Sequence, residues 1–334
     1  MKKVLTILSI IIMGVVIVGC GKTTTKPDST ITQPGITTTT TKENVNIKII
    51  APNGAPAISQ SSIQKNKPSL GENVNYDITI VAGKDPLVSA FTNKDYDIVF
   101  APLDLGAQLY TKGVLDYKLT ATITFGNVYL ATQTTEEFTL DSLSGKKVTL
   151  FGQNSSPDLV TRHVLEDVEN VTYEYLNATT DTQSLLISNP TEIALVAEPQ
   201  LTALTKKVQN IKVIDIQELY AAKMGVDYYP QASVFVKNDL INNHKDIVDK
   251  YLEELAKSAL KANTSLEEVA DTCVELNYPF AKPVLLDSIP RSNIGFAILD
   301  GNDKNLKTYF EFILEKNSKL LNGKLPDEGF YYKK

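Results

Sequence analysis

The sequence predicts an α/β protein of two lobes, each built on a mixed, mainly parallel sheet, with two strands joining the lobes as a hinge. Three observations lead to this prediction. Short apolar runs rich in β-branched residues alternate with helix-like segments from residue 46 onward. A strand, a loop of small residues and a helix start follow one another in residues 46–60 and again in residues 146–159. The chain beyond residue 44 is about twice the usual domain length of 100–150 residues, so two Rossmann-like lobes are expected.

The first of these strand–loop–helix units ends its strand at Pro52. Asn53 and Gly54 then form a tight turn, because glycine tolerates a positive φ angle. Ala55 and Pro56 begin a helix, since proline is well suited to the first helical turn. Such a helix start leaves free N–H groups at the carboxyl edge of a sheet, which is where open α/β folds bind ligands.

The second unit repeats this arrangement about a hundred residues later. Residues 146–151 form a strand, residues 152–156 form a small polar loop, and a helix begins at Pro157. Ser155 or Ser156 is the expected N-cap, and Asp158 lies in the first turn, where negative charge is favourable. Two such loops suggest two similar lobes. The alternative is that any α/β protein contains several such units and that these two are unrelated in function.

The remaining periodic segments complete an alternating pattern. Further strands are predicted at residues 76–82, 96–101, 171–175, 192–197 and 211–216, and further helices at residues 87–93, 104–113, 182–187, 200–207, 245–262, 266–276 and 305–319. Asp85 and Asp104 are interpreted as helix caps. Beyond residue 236 only helices are predicted, and the broad apolar stripe of residues 245–262 includes Leu260.

Two segments are predicted to cross between the lobes. Residues 117–132 form one long alternating strand, interrupted by Gly126 and Asn127, and residues 228–236 form the second crossing. Glycine at the break allows the backbone to bend. The lobes are therefore expected to be discontinuous, with residues 45–126 and 230–334 in the first lobe and residues 127–229 in the second.

The N-terminus has the features of an export signal. Two lysines precede an apolar run that is shorter than the roughly 20 residues of a spanning helix. Residues 17–20 resemble a bacterial lipobox, which implies a signal peptide over residues 1–19 and a lipid anchor on Cys20; an ordinary signal peptide or an uncleaved anchor is the alternative. Residues 20–44 contain ten threonines and form a flexible stalk. An extracytoplasmic, membrane-anchored protein is expected.

Composition excludes several classes of function. Without the two N-terminal lysines, the chain has 31 basic and 39 acidic residues, which argues against a nucleic-acid partner. Besides Cys20 the chain contains only Cys273, so it has no disulfide framework, and Cys273 is interpreted as a small buried residue on a helix. No motif for a metal, a cofactor or catalysis occurs, and a monomer is expected.

The order and spacing of several short motifs resemble the substrate-binding lipoproteins of ABC importers. These motifs lie at residues 51–57, 97–107, 143–147, 197–199, 229–231 and 323–332. The closest resemblance is to the type II periplasmic-binding-protein fold, in its branch of nitrate, sulfonate and thiamine-pyrimidine-precursor binders. It implies that two lobes close over a small molecule and that the closed form docks on permease subunits.

The resemblance also implies which residues face the ligand. By position they are Asn53, Gly54, Ala55, Pro56, Lys84, Pro102, Leu103, Asp104, Asn127, Gly152, Gln153, Asn154, Ser155, Ser156, Glu198 and Tyr229. Each has a structural alternative: turn residues at Asn53 and Gly54, helix caps at Asp104 and the two serines, a surface charge at Glu198 and a core side chain at Tyr229.

The charges in these loops favour a neutral or cationic ligand. Their only basic residue is Lys84, whereas Asp104 and Glu198 are acidic, so a nitrogen heterocycle such as a thiamine-pyrimidine precursor or a flavin is expected. Backbone N–H groups bind anions without basic side chains, which keeps sulfonate or nitrate open. The rival functions are an enzyme of the same fold and a surface adhesin. His163 and His244, both expected at the surface, are far apart in sequence and do not suggest a catalytic pair.

Overall fold

The computed structural model describes residues 44–334, in which two mixed β-sheets are covered by helices. The predicted signal peptide, Cys20 and nearly all of the predicted stalk lie outside these residues. The alternation of strands and helices arises from the apolar runs seen in the sequence, because β-branched runs favour strands and the amphipathic segments between them favour helices. No helix in residues 44–334 is long and apolar enough to cross a membrane.

The first sheet has six strands in the order β11-β4-β10-β3-β1-β2. Its strands are β1 (Val45–Pro52), β2 (Val74–Val81), β3 (Ile98–Pro102), β4 (Tyr117–Thr124), β10 (Ala232–Lys237) and β11 (Ile294–Ile298). β1 is parallel to β2 and β3, and β10 is antiparallel to β3 and β4. The sheet therefore contains strands from both halves of the chain.

The second sheet has five strands in the order β7-β6-β8-β5-β9. They are β5 (Val128–Gln133), β6 (Lys147–Phe151), β7 (Thr172–Leu176), β8 (Ile193–Ala197) and β9 (Ile211–Asp215). β6 is parallel to β7 and β8, whereas β5 is antiparallel to β8 and β9. All five strands come from the central part of the chain.

Thirteen α-helices connect the strands and cover the sheets within residues 44–334. They are α1 (Ala55–Ser59), α2 (Ser61–Asn66), α3 (Asp85–Asn93), α4 (Leu103–Thr111), α5 (Ser156–Val164), α6 (Thr179–Ser188), α7 (Gln200–Thr205), α8 (Ile216–Met224), α9 (Asn238–Asn243), α10 (Lys245–Thr264), α11 (Leu266–Glu275), α12 (Lys282–Ser288) and α13 (Lys304–Lys316). Short 3-10 turns lie at Asp141–Leu143, Ile289–Arg291, Ser318–Leu321 and Glu328–Phe330.

The structure corrects two predictions of secondary structure and one of burial. The single long strand at residues 117–132 is two strands, β4 and β5, that belong to different sheets. The region beyond residue 236 contains a strand, β11, that the helical interpretation missed. Leu260 is 60% exposed and does not belong to the apolar stripe of α10, since Ala259 and Ala262 occupy its buried face. The predicted boundaries of the two lobes stay a prediction.

The pairing of strands in the two sheets places the loops that follow their parallel strands at one gap between the sheets. β4 ends at Thr124 and β5 begins at Val128, so only three residues separate the two sheets at this crossing. In the first sheet, the carboxyl ends of β1 and β3 lie at the same edge as the carboxyl end of β4. In the second sheet, the carboxyl ends of β6 and β8 lie at the edge where β5 begins. These two edges therefore face each other.

Helix α13 joins the hydrophobic cores of the two sheets. Phe312 packs against His163 and Tyr220, with ring centroids 4.9 and 5.5 Å apart, both on helices of the second sheet. Phe310 faces Phe330 at 6.2 Å, next to the first sheet. One continuous cluster of buried residues consequently includes strands of both sheets and α13.

We expect Phe312→Ala to lower the free energy of unfolding by about 3–5 kcal/mol, the usual cost of a cavity left by a buried phenylalanine. Urea unfolding should show a single transition at a lower midpoint, because the core that Phe312 fills is continuous. The matched control is Glu311→Ala on the exposed face of the same helix, which should change stability by no more than about 0.5 kcal/mol. Equal effects of the two substitutions would contradict this role of α13.

Candidate functional site

The first part of the site is the turn between β1 and α1. The Asn53 N–H donates to the carbonyl of Val81 at 2.8 Å, which ties this turn to the end of β2. Gly54 is buried with φ 88°, and a Cβ atom added there would lie 3.6 Å from the Pro199 ring. Ala55 and Pro56 begin α1, as predicted. The first turn of α1 therefore faces the loop that follows β8 in the second sheet.

Asp104 and Ser156 join the helix starts of α4 and α5 across the gap. Asp104 is 4% exposed, and its Oδ2 accepts a hydrogen bond from the Ser156 N–H at 3.1 Å. The Tyr309 hydroxyl of α13 donates to Ser156 Oγ. Burial raises the pKa of Asp104, and nearby Lys84 and the N–H donors partly offset this effect. Asp104 is not the predicted cap, because α4 begins at Leu103 and Pro102 precedes it.

The loop between β6 and α5 lies at the margin of the gap. Ser155 is the N-cap residue by position, but its hydroxyl donates to the Gly152 carbonyl and caps no helical N–H. Asn154 donates its N–H to Asp158 Oδ2 at 2.7 Å, which holds the turn to the first turn of α5. Gln153 and Asn154 are exposed. Ser156 of this loop bonds to Asp104 across the gap, and Asn154 Oδ1 accepts a hydrogen bond from Asn317 Nδ2, at the end of α13, at 3.4 Å.

Glu198 is buried, so it is not the surface charge considered as an alternative. It is 3% exposed, and Thr202 donates to both of its carboxylate oxygens. Arg291, which precedes β11 in the first sheet, lies with Nε 3.2 Å from Glu198 Oε1. Burial raises the pKa of Glu198, and the charge of Arg291 opposes that shift. This ion pair is a second link between the chain segments of the two sheets.

Asn127 and Gln231 hold the two crossing segments together. The Asn127 N–H donates to Gln231 Oε1 at 3.0 Å, and Gln231 Nε2 donates to Asn127 Oδ1 at 2.9 Å. The Glu198 N–H donates to the Asn127 carbonyl at 3.1 Å. Gly126 has φ 85°, and a Cβ there would lie 2.4 Å from Gln217 Oε1, so only glycine fits this bend.

Of the other predicted site residues, Tyr229 lies in the core beside the crossing, where its hydroxyl donates to Gln231 Oε1 at 3.2 Å. Tyr229 is fully buried and stacks with Tyr309 at 6.0 Å, which matches the alternative of a core side chain. Lys84 is exposed at the start of α3. The structure therefore brings Gly54 and Asp104 of the first sheet together with Ser156 and Glu198 of the second across the gap, and it places Asn127 at the crossing between the sheets.

Sequence reasoning missed Arg291 and Tyr309. The scarcity of arginine was a usable signal for Arg291, because it is one of only two arginines in the chain. Placing it, however, required strand β11, which the sequence analysis did not predict. Tyr309 lies in the middle of a helix, and nothing in its local sequence distinguishes it from a core residue.

The described residues contain little that suggests redox or metal chemistry. Within residues 44–334, no group of three His, Cys, Asp or Glu side chains is placed to hold a metal ion. Cys273 lies fully buried in α11, as predicted, and burial raises the pKa of its thiol to about 12. His163 is 9% exposed, with Nε2 3.1 Å from Met224 Sδ, so the prediction that it lies at the surface is wrong.

We expect Arg291→Met to destabilise the protein by about 1–3 kcal/mol at pH 7, because it leaves the buried Glu198 carboxylate without its cationic partner. The double variant Arg291→Met/Glu198→Gln should recover most of this loss. Since the pKa of Glu198 is raised in the folded state, the single variant should also regain stability as the pH falls toward the ordinary glutamate pKa. Urea unfolding between pH 4 and pH 7 measures both effects. If the losses of unfolding free energy caused by the two single substitutions simply added up in the double variant, the pairing of Arg291 with Glu198 would be contradicted.

Comparison with solved structures identifies the fold. No protein-family model and no curated protein sequence matches the chain. An ABC transporter protein from Parabacteroides distasonis superposes with a TM-score of 0.74 at 21% identity, over 87% of this chain and 100% of the other. The ligand-binding component of an ABC-type import system from Staphylococcus aureus, with zinc bound, has a TM-score of 0.68 at 15% identity, over 87% and 97%.

A third structure with this fold is the periplasmic aliphatic sulphonate binding protein from Escherichia coli, with a TM-score of 0.69 at 12% identity, over 87% of this chain and 93% of the other. These likenesses extend over nearly all of the described residues and include both sheets. They confirm the α/β fold class that the sequence predicted. The chain has the fold of the type II periplasmic binding proteins.

Proposed function

We propose that this protein is the extracytoplasmic solute-binding component of an ABC importer, capturing a small molecule and delivering it to permease subunits. The observation that carries the proposal is that both sheets present the carboxyl ends of their parallel strands to one gap. Open α/β sheets bind ligands at such edges. In this proposal the protein is a monomer that binds neither nucleic acid nor a cofactor, and Cys20 tethers it to the membrane through the stalk.

The proposed ligand is a nitrogen heterocycle, such as a thiamine-pyrimidine precursor or a flavin. The Asp104 carboxylate lies at the N-terminus of α5 and accepts the Ser156 N–H, so it occupies a position that would otherwise favour an anion. Glu198 adds a second carboxylate, although Arg291 balances its charge. A negatively charged ligand would be repelled by Asp104, whereas a neutral or cationic one would not.

There are two alternatives to a binding protein for a nitrogen heterocycle. The first is a sulfonate or nitrate ligand, and the sulfonate is favoured because the Escherichia coli protein with this fold is a sulphonate binding protein. An enzyme of the same fold would need a reactive group at the gap. Of the two histidines, His163 packs against Phe312 away from the gap, and His244 directly precedes α10. We therefore place binding without turnover first.

A thermal-shift screen tests the ligand class. The compounds are a thiamine-pyrimidine precursor, riboflavin, polyamines, nitrate and an alkanesulfonate. A true ligand present at 100 times its Kd should stabilise the folded protein by about 2.7 kcal/mol, because it binds only the folded state. We expect a nitrogen heterocycle to give this shift.

A response to nitrate or the sulfonate alone would overturn the proposed ligand class but not the binding function. No response to any compound in this screen or to a host metabolite extract would favour an adhesin. Mass spectrometry of the compound after incubation with the protein separates binding from catalysis, since a binder returns its ligand chemically unchanged.

A further inference from the structure

A pocket of 490 Å³ lies at one end of the gap between the sheets. Its lining includes Phe125, Asp215, Gln217, Asp227, Tyr228 and Asn293. Phe125 and Asn293 lie beside the ends of β4 and β11 in the first sheet, and Asp215 ends β9 in the second sheet. The pocket is therefore bounded by both sheets, and its volume is in the range of about 300–1,000 Å³ that small-molecule sites occupy.

This pocket is separate from the residues that the sequence predicted to face the ligand. None of those residues is among the described residues that line it. The predicted loops follow β1, β3, β6 and β8, whereas the pocket lies beside the outer strands β11 and β9. In the structure the predicted loops are in direct contact across the gap through Asp104 and Ser156, and the 490 Å³ pocket lies at the other end of the gap.

Two aromatic rings form one wall of the pocket. The centroids of Phe125 and Tyr228 are 4.4 Å apart, with an interplanar angle of 48°. The Phe125 ring lies so close to Gly295 that a Cβ there would be 2.2 Å from it, and the Tyr228 hydroxyl donates to Asp303 Oδ2 at 3.3 Å. Both rings are thus held in place. Fixed aromatic rings bind flat rings by stacking and cations through their π faces.

The polar groups around these rings are acidic or neutral. Asp215, Glu218 and Asp227 supply carboxylates, and of the described residues that line the pocket none is basic. The Gln217 side chain, 8% exposed, donates to the Asp227 carbonyl at 3.2 Å and so positions the segment that carries Asp227 and Tyr228. Arg291 is paired with Glu198, and Lys304 donates to the Gly225 carbonyl. Among the hydrogen bonds and ion pairs of the described residues, neither cation contacts the carboxylates of the pocket.

We propose that this pocket binds the flat, positively charged part of the transported molecule, which makes the ligand an aromatic or heteroaromatic amine or amidine. The aromatic wall receives the ring, and the carboxylates of Asp215 and Asp227 receive the charged nitrogen. The inference rests on the proposed solute-binding function and assigns its ligand class and position. Because both sheets line the pocket, a molecule bound there contacts both.

Three probes of one shape and different charge test this proposal. Benzamidine is a flat cation, benzamide is its neutral analogue and benzoate is its anionic analogue. Titration calorimetry at pH 7 should show benzamidine binding at least about tenfold more tightly than benzamide, with benzoate weakest, because only the cation gains attraction from the carboxylates. Equal affinities, or tighter binding of benzoate, would overturn the proposal.

Substitutions of residues in the pocket test whether benzamidine binds there. Asp227→Asn and Tyr228→Leu should each weaken benzamidine binding about tenfold or more, whereas the control Asp141→Asn, at an exposed aspartate outside the pocket, should leave it unchanged. Asp227 is exposed, so Asp227→Asn is expected to fold normally even if Tyr228→Leu does not. If a compound stabilises the wild type and the variant Asp227→Asn equally, the pocket assignment fails while the binding function stands. If the wild type binds no small molecule at all, the function itself fails.

Discussion

The arrangement of this protein depends on the hydrogen-bonded contact between Asn127 and Gln231. The backbone N–H of Asn127 donates to Gln231 Oε1, and Gln231 Nε2 donates to the side-chain Oδ1 of Asn127. These residues lie where the chain leaves the first sheet and where it returns. Two crossing segments held side by side keep the edges of the two sheets facing each other. The ends of β3 and β8, and hence the helix starts that follow them, are positioned by this contact.

The inter-sheet contacts follow from that arrangement. Once the edges face, Asp104 lies within reach of the Ser156 N–H, and Glu198 lies within reach of Arg291. Helix α13 adds apolar contact between the cores through Phe312. Separating the sheets would break the Asp104–Ser156 hydrogen bond and several ion pairs, among them Glu198–Arg291 and Glu166–Lys316, and would expose part of this core. A ligand that contacts both sheets would oppose such separation, since it shifts the population toward the state that it binds better.

The fold class was predictable from the sequence because it depends on local pattern. Apolar runs, helix starts and their alternation indicate β1, α1, β6 and α5 without any knowledge of the tertiary structure. The predicted long strand at residues 117–132 failed for a tertiary reason, because its two halves pair with different partners. β11 was missed because its five residues, Ile294–Ile298, include a glycine and a short apolar run among segments that favour helices.

The site was less predictable than the fold, because burial and pairing are not local properties. Asp104 has the sequence context of a helix cap but is a buried acceptor for a helix start in the other sheet. Glu198 has the context of a surface charge, yet its partner Arg291 is more than ninety residues away. The aromatic pocket brings Phe125 next to Tyr228 from the two crossing segments, and only the pairing of those segments reveals that contact.

We propose that the gap between the sheets holds one small molecule. Native mass spectrometry tests it most directly, with the mature protein first unfolded and refolded to remove any bound compound and then mixed with a small-molecule extract of its own host. We expect one added mass per chain, corresponding to a single nitrogen-containing compound that is released unchanged on denaturation. A chain that remains free of any added mass across the full range of extract concentrations would contradict it.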